Sequence, residues 1–497
     1  MKILLVCPEY PETFWSFKHA ARFVSRRAAQ PPLGLLTVAA LLPADWEIEL
    51  IDMNVETLPD ERVRWCDYVF LGGMSVQEAS AREVIARCNA LGTRIVAGGP
   101  MFTARHADFE GVDHFVLNEA ELTLPQFLDD LVHGRPQKLY STSARADLAS
   151  TPVPRWDLVD QRAYLTMNIQ YSRGCPHDCE FCEITVLDGR RPRTKPVAQL
   201  VGELDGLYDR GWRGHVFIVD DNFIGNPGKL KQEILPAVVR WMEARRHPFS
   251  FGTQATLNLS RDPVLVDLMA RAGFTEVFVG IENPNEESLK ECGKDATVDL
   301  DLLESVRTLQ RAGMEVQGGF ILGFDHDPPS IFDTLFQFIQ ASGIVVAMVG
   351  LLNAPVSSRL HHRLRREGRL RDVWTGNNTD ATINFVPTMG LPALLEGYAR
   401  VLQALYAPEG YYRRVDNFLL HHRPLHLRDG RIRAKELQAL AKSMLLLGVI
   451  ERGRLHYWRL FFWSLLRRPR QFPTAIACAV YGYHFRRVLG QHFPRVD

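Results

Sequence analysis

The chain has 497 residues, too many for one ordinary hydrophobic core, and that length predicts about three domains. Its apolar (46%) and charged (23%) fractions are those of a soluble globular protein, and its 58 Lys and Arg balance its 58 Asp and Glu. Nothing global therefore points to nucleic acid or a membrane, and no apolar run reaches the roughly 18 residues that a membrane-spanning helix needs.

The N-terminal third alternates short apolar runs with helix-length segments. Ile3–Cys7, Trp46–Asp52, Tyr68–Gly72, Arg94–Ala97 and His114–Leu117 read as buried strands, which predicts a doubly wound α/β domain with a parallel sheet, Rossmann-like, over residues 1–145. Ligands bind such sheets at the carboxyl ends of strands. Those ends carry Gly72, Gly73, Met74 and Ser75, with Gln77 following; then Gly98 and Gly99; then Asn118 and Glu119. Paired glycines let a backbone approach a bulky ligand. Cys7-Pro8-Glu9-Tyr10 stands where a Gly-x-Gly-x-x-Gly turn would, which disfavours a nicotinamide site. A docking domain with an empty fold stays open as an alternative.

A proline-punctuated linker, residues 146–165, leads to a second α/β region over 166–385. Its first strand, Met167–Tyr171, delivers Cys175, Cys179 and Cys182 on a loop that Gly174 and Pro176 keep irregular. Thiolates are soft ligands suited to iron–sulfur clusters or zinc. Three of them leave one iron of a four-iron cluster without a protein ligand, and an open coordination position marks a catalytic centre. Zinc sites usually show paired Cys-x-x-Cys or Cys-x-x-His elements, and the other five cysteines are scattered singly. Few cysteines and no signal peptide point to a reducing cytoplasm rather than a disulfide framework. Further strands, His215–Val219, Phe249–Gln254, Val277–Glu282, Gln317–Gly323 and Val345–Leu352, end in Asp220 and Asp221, in Gln254, in Glu282 and beside Asp325–Asp327. Carboxylates at such ends read as ligand-binding, although strand-end turns and caps explain either aspartate singly equally well. Arg173 and Arg190–Arg193 are cations that could offset a negative cluster.

Beyond residue 386 the patterns turn helical: Leu391–Leu405, Lys435–Leu447 and Arg454–Leu466. From Tyr411 to the end, 17 Lys and Arg face 5 Asp and Glu. The basic, aromatic segment His456–Arg468 suits a membrane surface, a core helix whose arginines reach solvent, or, third, single-stranded nucleic acid. No nucleic-acid partner is expected from the overall charge.

The cysteine spacing, with Phe181 before the third thiol, resembles the radical S-adenosylmethionine (radical SAM) superfamily. So do the Gly-Ile-Glu end at Glu282 and the Gly319-x-Ile321-x-Gly323 strand. A Rossmann-like domain ahead of that core resembles the cobalamin-binding members. Phe14–Phe17, Pro31–Leu36, Arg191–Lys195, Val219–Gly225 and Gly376–Asn378 are similar to a bacterial branch with hopanoid methylase-like proteins. The resemblance implies a partial (β/α)6 barrel holding a 4Fe–4S cluster on Cys175, Cys179 and Cys182. It implies SAM beside Phe181, Asp220, Asp221, Gln254, Glu282, Gly319 and Ile321, and cobalamin at Gly72–Ser75, Gln77, Gly98, Gly99, Asn118 and Glu119. Asp52-Met-Asn-Val-Glu lacks the histidine of one common cobalamin motif, so the lower face of cobalt would be free or shielded by the Gly73–Gln77 loop. The implied activity is methyl transfer from SAM, by way of methylcobalamin, to an unactivated carbon of a small, apolar metabolite. An electron donor of flavodoxin or ferredoxin type would serve it, with peripheral membrane contact through the C-terminal helices. A cyclase or rearrangement enzyme, and a non-enzymatic cobalamin sensor, are the alternatives.

Overall fold

The computed structural model of the chain describes residues 1–294, 296–373, 375–377, 379–424 and 434–492. Six strands, β1 (Lys2–Cys7), β2 (Glu47–Asp52), β3 (Tyr68–Gly72), β4 (Arg94–Gly98), β5 (His114–Val116) and β6 (Leu139–Tyr140), form the first sheet. It is parallel throughout, in the order β2-β1-β3-β4-β5-β6. Both faces are apolar because helices cover both: Val6, Leu71 and Ala97 pack on one side, Leu5, Phe70 and Val96 on the other. The order reverses between β1 and β3, and the crevice outside their carboxyl ends is where ligands bind such sheets. The five strands expected from the apolar runs are all present; two-residue β6 is too short to leave a pattern.

The second sheet contains β7 (Met167–Ile169), β10 (His215–Ile218), β11 (Ser250–Ala255), β12 (Phe274–Glu282), β13 (Glu315–Leu322) and β14 (Ala347–Leu351). A small antiparallel hairpin, β8 (Ser172–Arg173) with β9 (Arg193–Thr194), brackets the cysteine loop. The second sheet is also parallel, ordered β14-β13-β12-β11-β10-β7, with helices between its strands. Its outer strands do not pair, so it is a partial barrel open along one side. An N-terminal turn, Phe14–Ser16, and the C-terminal helix Phe472–His492 meet there: Phe14 stacks on Phe485 (ring centroids 4.1 Å apart) and Trp15 meets Phe278 of β12 edge-on at 5.2 Å.

The C-terminal region is helical among the described residues, with helices Leu391–Tyr406, Pro408–His421, Ala434–Leu445, Arg454–Arg467 and Phe472–His492. Three match the expected periodicity. The last helix buries one side, with Ala475, Cys478, Ala479, Phe485 and Val488, but these are small or mixed residues and buried His484 sits among them, so the stripe is weak in sequence.

Candidate active site

The cysteine loop starts at Gly174, whose φ is +93° and whose missing Cβ would lie 2.8 Å from the Gly189 carbonyl, so a side chain there would displace the loop's first turn. Asp220 anchors the approach. It is fully buried, accepts from the Tyr171 N–H (2.8 Å) and the Ser172 hydroxyl (2.6 Å), and stands outside the cavity described below. Its expected contact with SAM is therefore corrected: the carboxylate is consumed in fixing the strand that carries the thiols. From the other side the helix Arg359–Arg366 grips the loop. The Leu360 N–H donates to the Glu180 carbonyl (2.9 Å), and Arg363 forks onto both Glu180 carboxylate oxygens (2.9 and 3.1 Å). Arg363 and Arg369 also hold Asp325, and these guanidiniums keep its buried carboxyl well below the usual carboxylate range.

The thiols of Cys175, Cys179 and Cys182 are half-buried and unpaired, and they line one cavity of about 2720 Å³. That is several times the space a drug-sized ligand fills (~300–1,000 Å³), enough for more than one bulky molecule. Burial pushes the thiols up, that of Cys182 to about 12, while the Lys294 ammonium pulls the other way. Lys294 is buried and forms an ion pair with Glu282 at 2.6 Å. Burial opposes its charge, yet Glu282 and Cys179 hold its proton more tightly than an ordinary lysine's. Sequence reasoning missed this residue and assigned the offsetting charge to arginines instead. Arg173 and Arg193 are engaged elsewhere: Arg193 forks onto Glu119 (both contacts 2.7 Å) and Arg173 pairs with Glu121 at 2.7 Å, which clamps the barrel to the first domain.

Phe181, Asp221, Gln254 and Glu282 line the cavity as expected, joined by Asn222, whose buried Oδ1 has no partner. Burial, with Asp188 and Asp220 nearby, raises the Asp221 carboxyl to about 7. Glu282 has a left-handed backbone (φ +65°), a strained conformation for a non-glycine residue at a strand end. Gly319 and Ile321 do not line the cavity, which corrects their assignment: the ring of Phe278 already fills the space above Gly319, 2.8 Å from where a Cβ would sit, and Ile321 packs against the barrel core. Asp327, beyond the end of β13, is tied up within the protein. It accepts from the N–H groups of Gly323 and Phe324 and from Ser288 and Asn283, a structural knot.

The same cavity continues to the crevice of the first sheet, where Gly72, Gly73, Met74, Gln77, Gly98, Gly99, Asn118 and Glu119 line it. Ser75 does not, and this too is a correction: Gly376 lies against it so closely that a Cβ on that glycine would sit 2.9 Å from the Ser75 Cβ. Asn377 and Thr379 reach the cavity from the same segment, and Asn378 lies outside the described residues. Gln77 is buried: its amide donates to the Pro8 carbonyl (2.5 Å) and its Oε1 accepts the Met74 N–H (2.9 Å), fixing the loop that edges the crevice. Gly98 serves packing, since a Cβ would lie 2.6 Å from the Val116 carbonyl; Gly73 meets only side chains, at 3.3 Å and beyond. Glu119 is spent on Arg193, so it offers a ligand little free acceptor capacity.

The family model of the Radical SAM superfamily matches residues 169–339, and a domain of unknown function (DUF4070) matches 358–494. A methylase of Rhodopseudomonas palustris, the hopanoid C-2 methylase, is 33% identical over 94% of this chain and 89% of its own. An uncharacterized methyltransferase of Synechocystis sp. is 38% identical over 98% of this chain and 91% of its own. The chain belongs to the radical SAM superfamily, in the branch of these two relatives. Its fold agrees: the methyltransferase TsrM from Kitasatospora setae, solved with cobalamin and a [4Fe-4S] cluster, matches 97% of this chain and 99% of its own at TM-score 0.63 and 16% identity. OxsB, a cobalamin-dependent S-adenosylmethionine radical enzyme, matches 100% and 80% at TM-score 0.63 and 14% identity. The three-thiol loop lies within the stretch that the Radical SAM model matches. Arg363, which grips that loop, lies in the segment that the DUF4070 model matches.

Proposed function

We propose that the chain is a cobalamin-dependent radical SAM methyltransferase acting on an unactivated carbon of a small molecule. The observation that carries this reading is a single cavity lined both by the three cluster-loop thiols and by the carboxyl-end crevice of the first sheet. Cys175, Cys179 and Cys182 would hold the 4Fe–4S cluster. Among the described residues no three His, Cys, Asp or Glu side chains group around one point as a single metal ion requires. Three soft thiols that line one cavity are the donor set such a cluster takes. Phe181, Asp221, Gln254 and Glu282, with Asn222, would hold SAM, whose ammonium and hydroxyls need acceptors. Gly73, Met74, Gln77, Gly99 and Asn118 would hold cobalamin: Gly73 leaves open a cradle that a Cβ would narrow, and the exposed Met74 beside it offers an apolar edge. When bound, these groups supply a carbon radical strong enough to take hydrogen from an sp³ carbon and a methyl group to put there.

The protein's own part is placement. Lys294 balances negative charge at the cluster, and Arg363 with Gly174 fixes the loop. Water exclusion falls to the apolar walls, Trp15, Phe217, Phe278 and Met348. We place the domain borders near 145, 165 and 385; the first two fall in the gap between β6 and β7, whereas β14 already ends at Leu351 and the DUF4070 match begins at 358. A cytoplasmic location suits eight unpaired cysteines. Exposed Arg365 and Arg366, on the helix that grips the cluster loop, suit an acidic electron donor of flavodoxin or ferredoxin type. Among the described residues no helix is long and apolar enough to cross a membrane. The helix Arg454–Arg467 nevertheless exposes Leu455 (78%), Phe462 and Leu466 (76%) on one face, next to exposed Val449 and Ile450, with Arg467, Arg468 and Arg470 alongside. Such an apolar patch with a cationic rim fits peripheral contact with an anionic lipid surface. Flotation with phosphatidylglycerol vesicles, lost on replacing Leu455 and Leu466 by Ser, tests that contact. Transfer of label from methyl-labelled SAM into product tests the methyltransferase reading; turnover without label would favour cyclisation or rearrangement.

A further inference from the structure

Strand ends of both kinds line the cavity. The cluster loop, Asp221, Gln254 and Glu282 lie at the carboxyl ends; His215 and Glu315 open β10 and β13, and Ser250 opens β11. Register joins the residues between. His215 pairs with Ser250, and Glu276 with Glu315; one layer up, Gln254 pairs with Phe278 and Phe278 with Gln317; above that, Gly319 pairs with Met348. Successive residues on one strand point to opposite faces, so this set shares the barrel's inner face. The inside of the barrel is therefore polar at its amino end and apolar in the middle, where Phe217, Phe278 and Met348 are flanked by Trp15 and Tyr481. Six residues of β12 separate Glu276 from Glu282, roughly 20 Å of strand rise.

The polar end is built rather than incidental. His215 Nε2 meets Glu276 Oε1 at 2.9 Å, its Nδ1 meets Ser250 Oγ at 3.0 Å, and the Gln317 amide donates to Glu276 Oε2 at 3.4 Å. Gly252 keeps space for the pair: a Cβ there would lie 2.5 Å from Glu276 Oε1 and 2.7 Å from His215 Nε2. Glu315, beside Glu276, has a buried Oε1 with no hydrogen-bond partner, although buried polar atoms nearly always have one. Burial, with Glu276 adjacent, raises its carboxyl to about 8, so at neutral pH it can both donate and accept. Of the arginines at the adjoining rim, Arg213 donates to the carbonyls of Tyr208 and Trp212 and Arg245 to Asp205, while Arg246 and Arg470 line the outer part of the cavity. On the barrel strands themselves the carboxyls of Glu276 and Glu315 outnumber the single imidazole of His215.

We infer that the amino end of the barrel is a recognition site for one end of the substrate. Glu276, held by His215 and Gln317, and Glu315 beside it take the hydroxyl or amine donors of an elongated molecule whose apolar body lies along the barrel and whose other end reaches the cluster loop. This rests on the methyltransferase reading for what happens at the cluster end. The recognition itself is independent of it.

The test is calorimetric titration of the purified full-length chain with 1-decanol, decylamine and decanoate. At pH 9, where Glu315 too is ionised, the alcohol and the amine are expected to bind about tenfold more tightly than the carboxylate, which like charge excludes. In the double variant Glu276→Gln, Glu315→Gln that preference is expected to vanish. Equal binding of the three by the wild-type chain overturns the inference. So does an unchanged preference in the double variant. Should the variant fail to fold, a decyl alcohol carrying a diazirine beside its hydroxyl decides the matter on the wild-type chain: cross-links to peptides holding Glu315 or Tyr481 support the site, and cross-links confined to the cysteine loop overturn it. Iron loading and SAM cleavage enter neither measurement, so a failure of the methyltransferase reading would be seen separately.

Discussion

The molecule contains two six-stranded, all-parallel sheets that do different things with the same architecture. The first is covered on both faces, so its central strands β1 and β3 are apolar along nearly their whole length and its carboxyl edge is left for chemistry. The second curls, and one face of each strand looks into a cavity. There polar and apolar residues alternate on purpose: Glu276, Phe278, Gly280 and Glu282 succeed one another along β12. A covered sheet confines function to loops, whereas a curled one spreads it along the strands.

Four changes would break or sharpen that contrast, from the largest effect to the smallest. Replacing Lys294 by Met leaves Glu282 as an uncompensated buried charge, and removing one partner of such a pair costs about 3–5 kcal/mol. Denaturant unfolding should show that loss, with reduced iron binding. Gly98→Ala, in the covered sheet, drives a Cβ toward the Val116 carbonyl and should cost about 1–3 kcal/mol. It should weaken cobalamin retention on gel filtration while leaving iron content intact, since the clash lies far from the cluster loop in sequence and sheet. Arg363→Ala removes charge-assisted hydrogen bonds from Glu180 and Asp325, about 2 kcal/mol, and should hasten cluster loss followed by absorbance. Asp325→Asn should have the smallest effect, and a pH-dependent one. The folded state holds this carboxyl below its ordinary value of 3.8, so its stabilisation is present above that value and fades as pH falls through the folded one. Melting midpoints of wild type and variant should differ at pH 7 and converge in strong acid.

Much of the frame was legible in the sequence, for reasons the contrast explains. Strands buried on both faces announce themselves as apolar runs, so β1 to β5 were found with their edges nearly right. The cysteine loop was legible because its ligand types and spacing are unusual. What escaped was set by pairing across long sequence distances. Asp220 looked like a ligand until Tyr171 and Ser172 claimed both its oxygens. Glu119 and Arg193, 74 residues apart, turned out to be each other's partner. Lys294 follows a short helix, Glu286–Glu291, with nothing local to mark it; only folding brings it to Glu282 and the thiols. Gly319 and Ile321 matched a motif, yet Phe278 from the neighbouring strand already fills the space above Gly319.

The central claim is that the loop of Cys175, Cys179 and Cys182 builds an iron–sulfur centre with one iron open to SAM. Anaerobic reconstitution of the full chain, with iron and sulfide assayed and SAM cleavage followed under strong reductant, tests it directly. The account predicts about four irons and four sulfides per chain on these thiols, 5′-deoxyadenosine formed with them, and loss of both on changing Cys179 to Ala. A reconstituted wild-type chain that holds no iron–sulfide centre, or that holds one and leaves SAM intact, would contradict it.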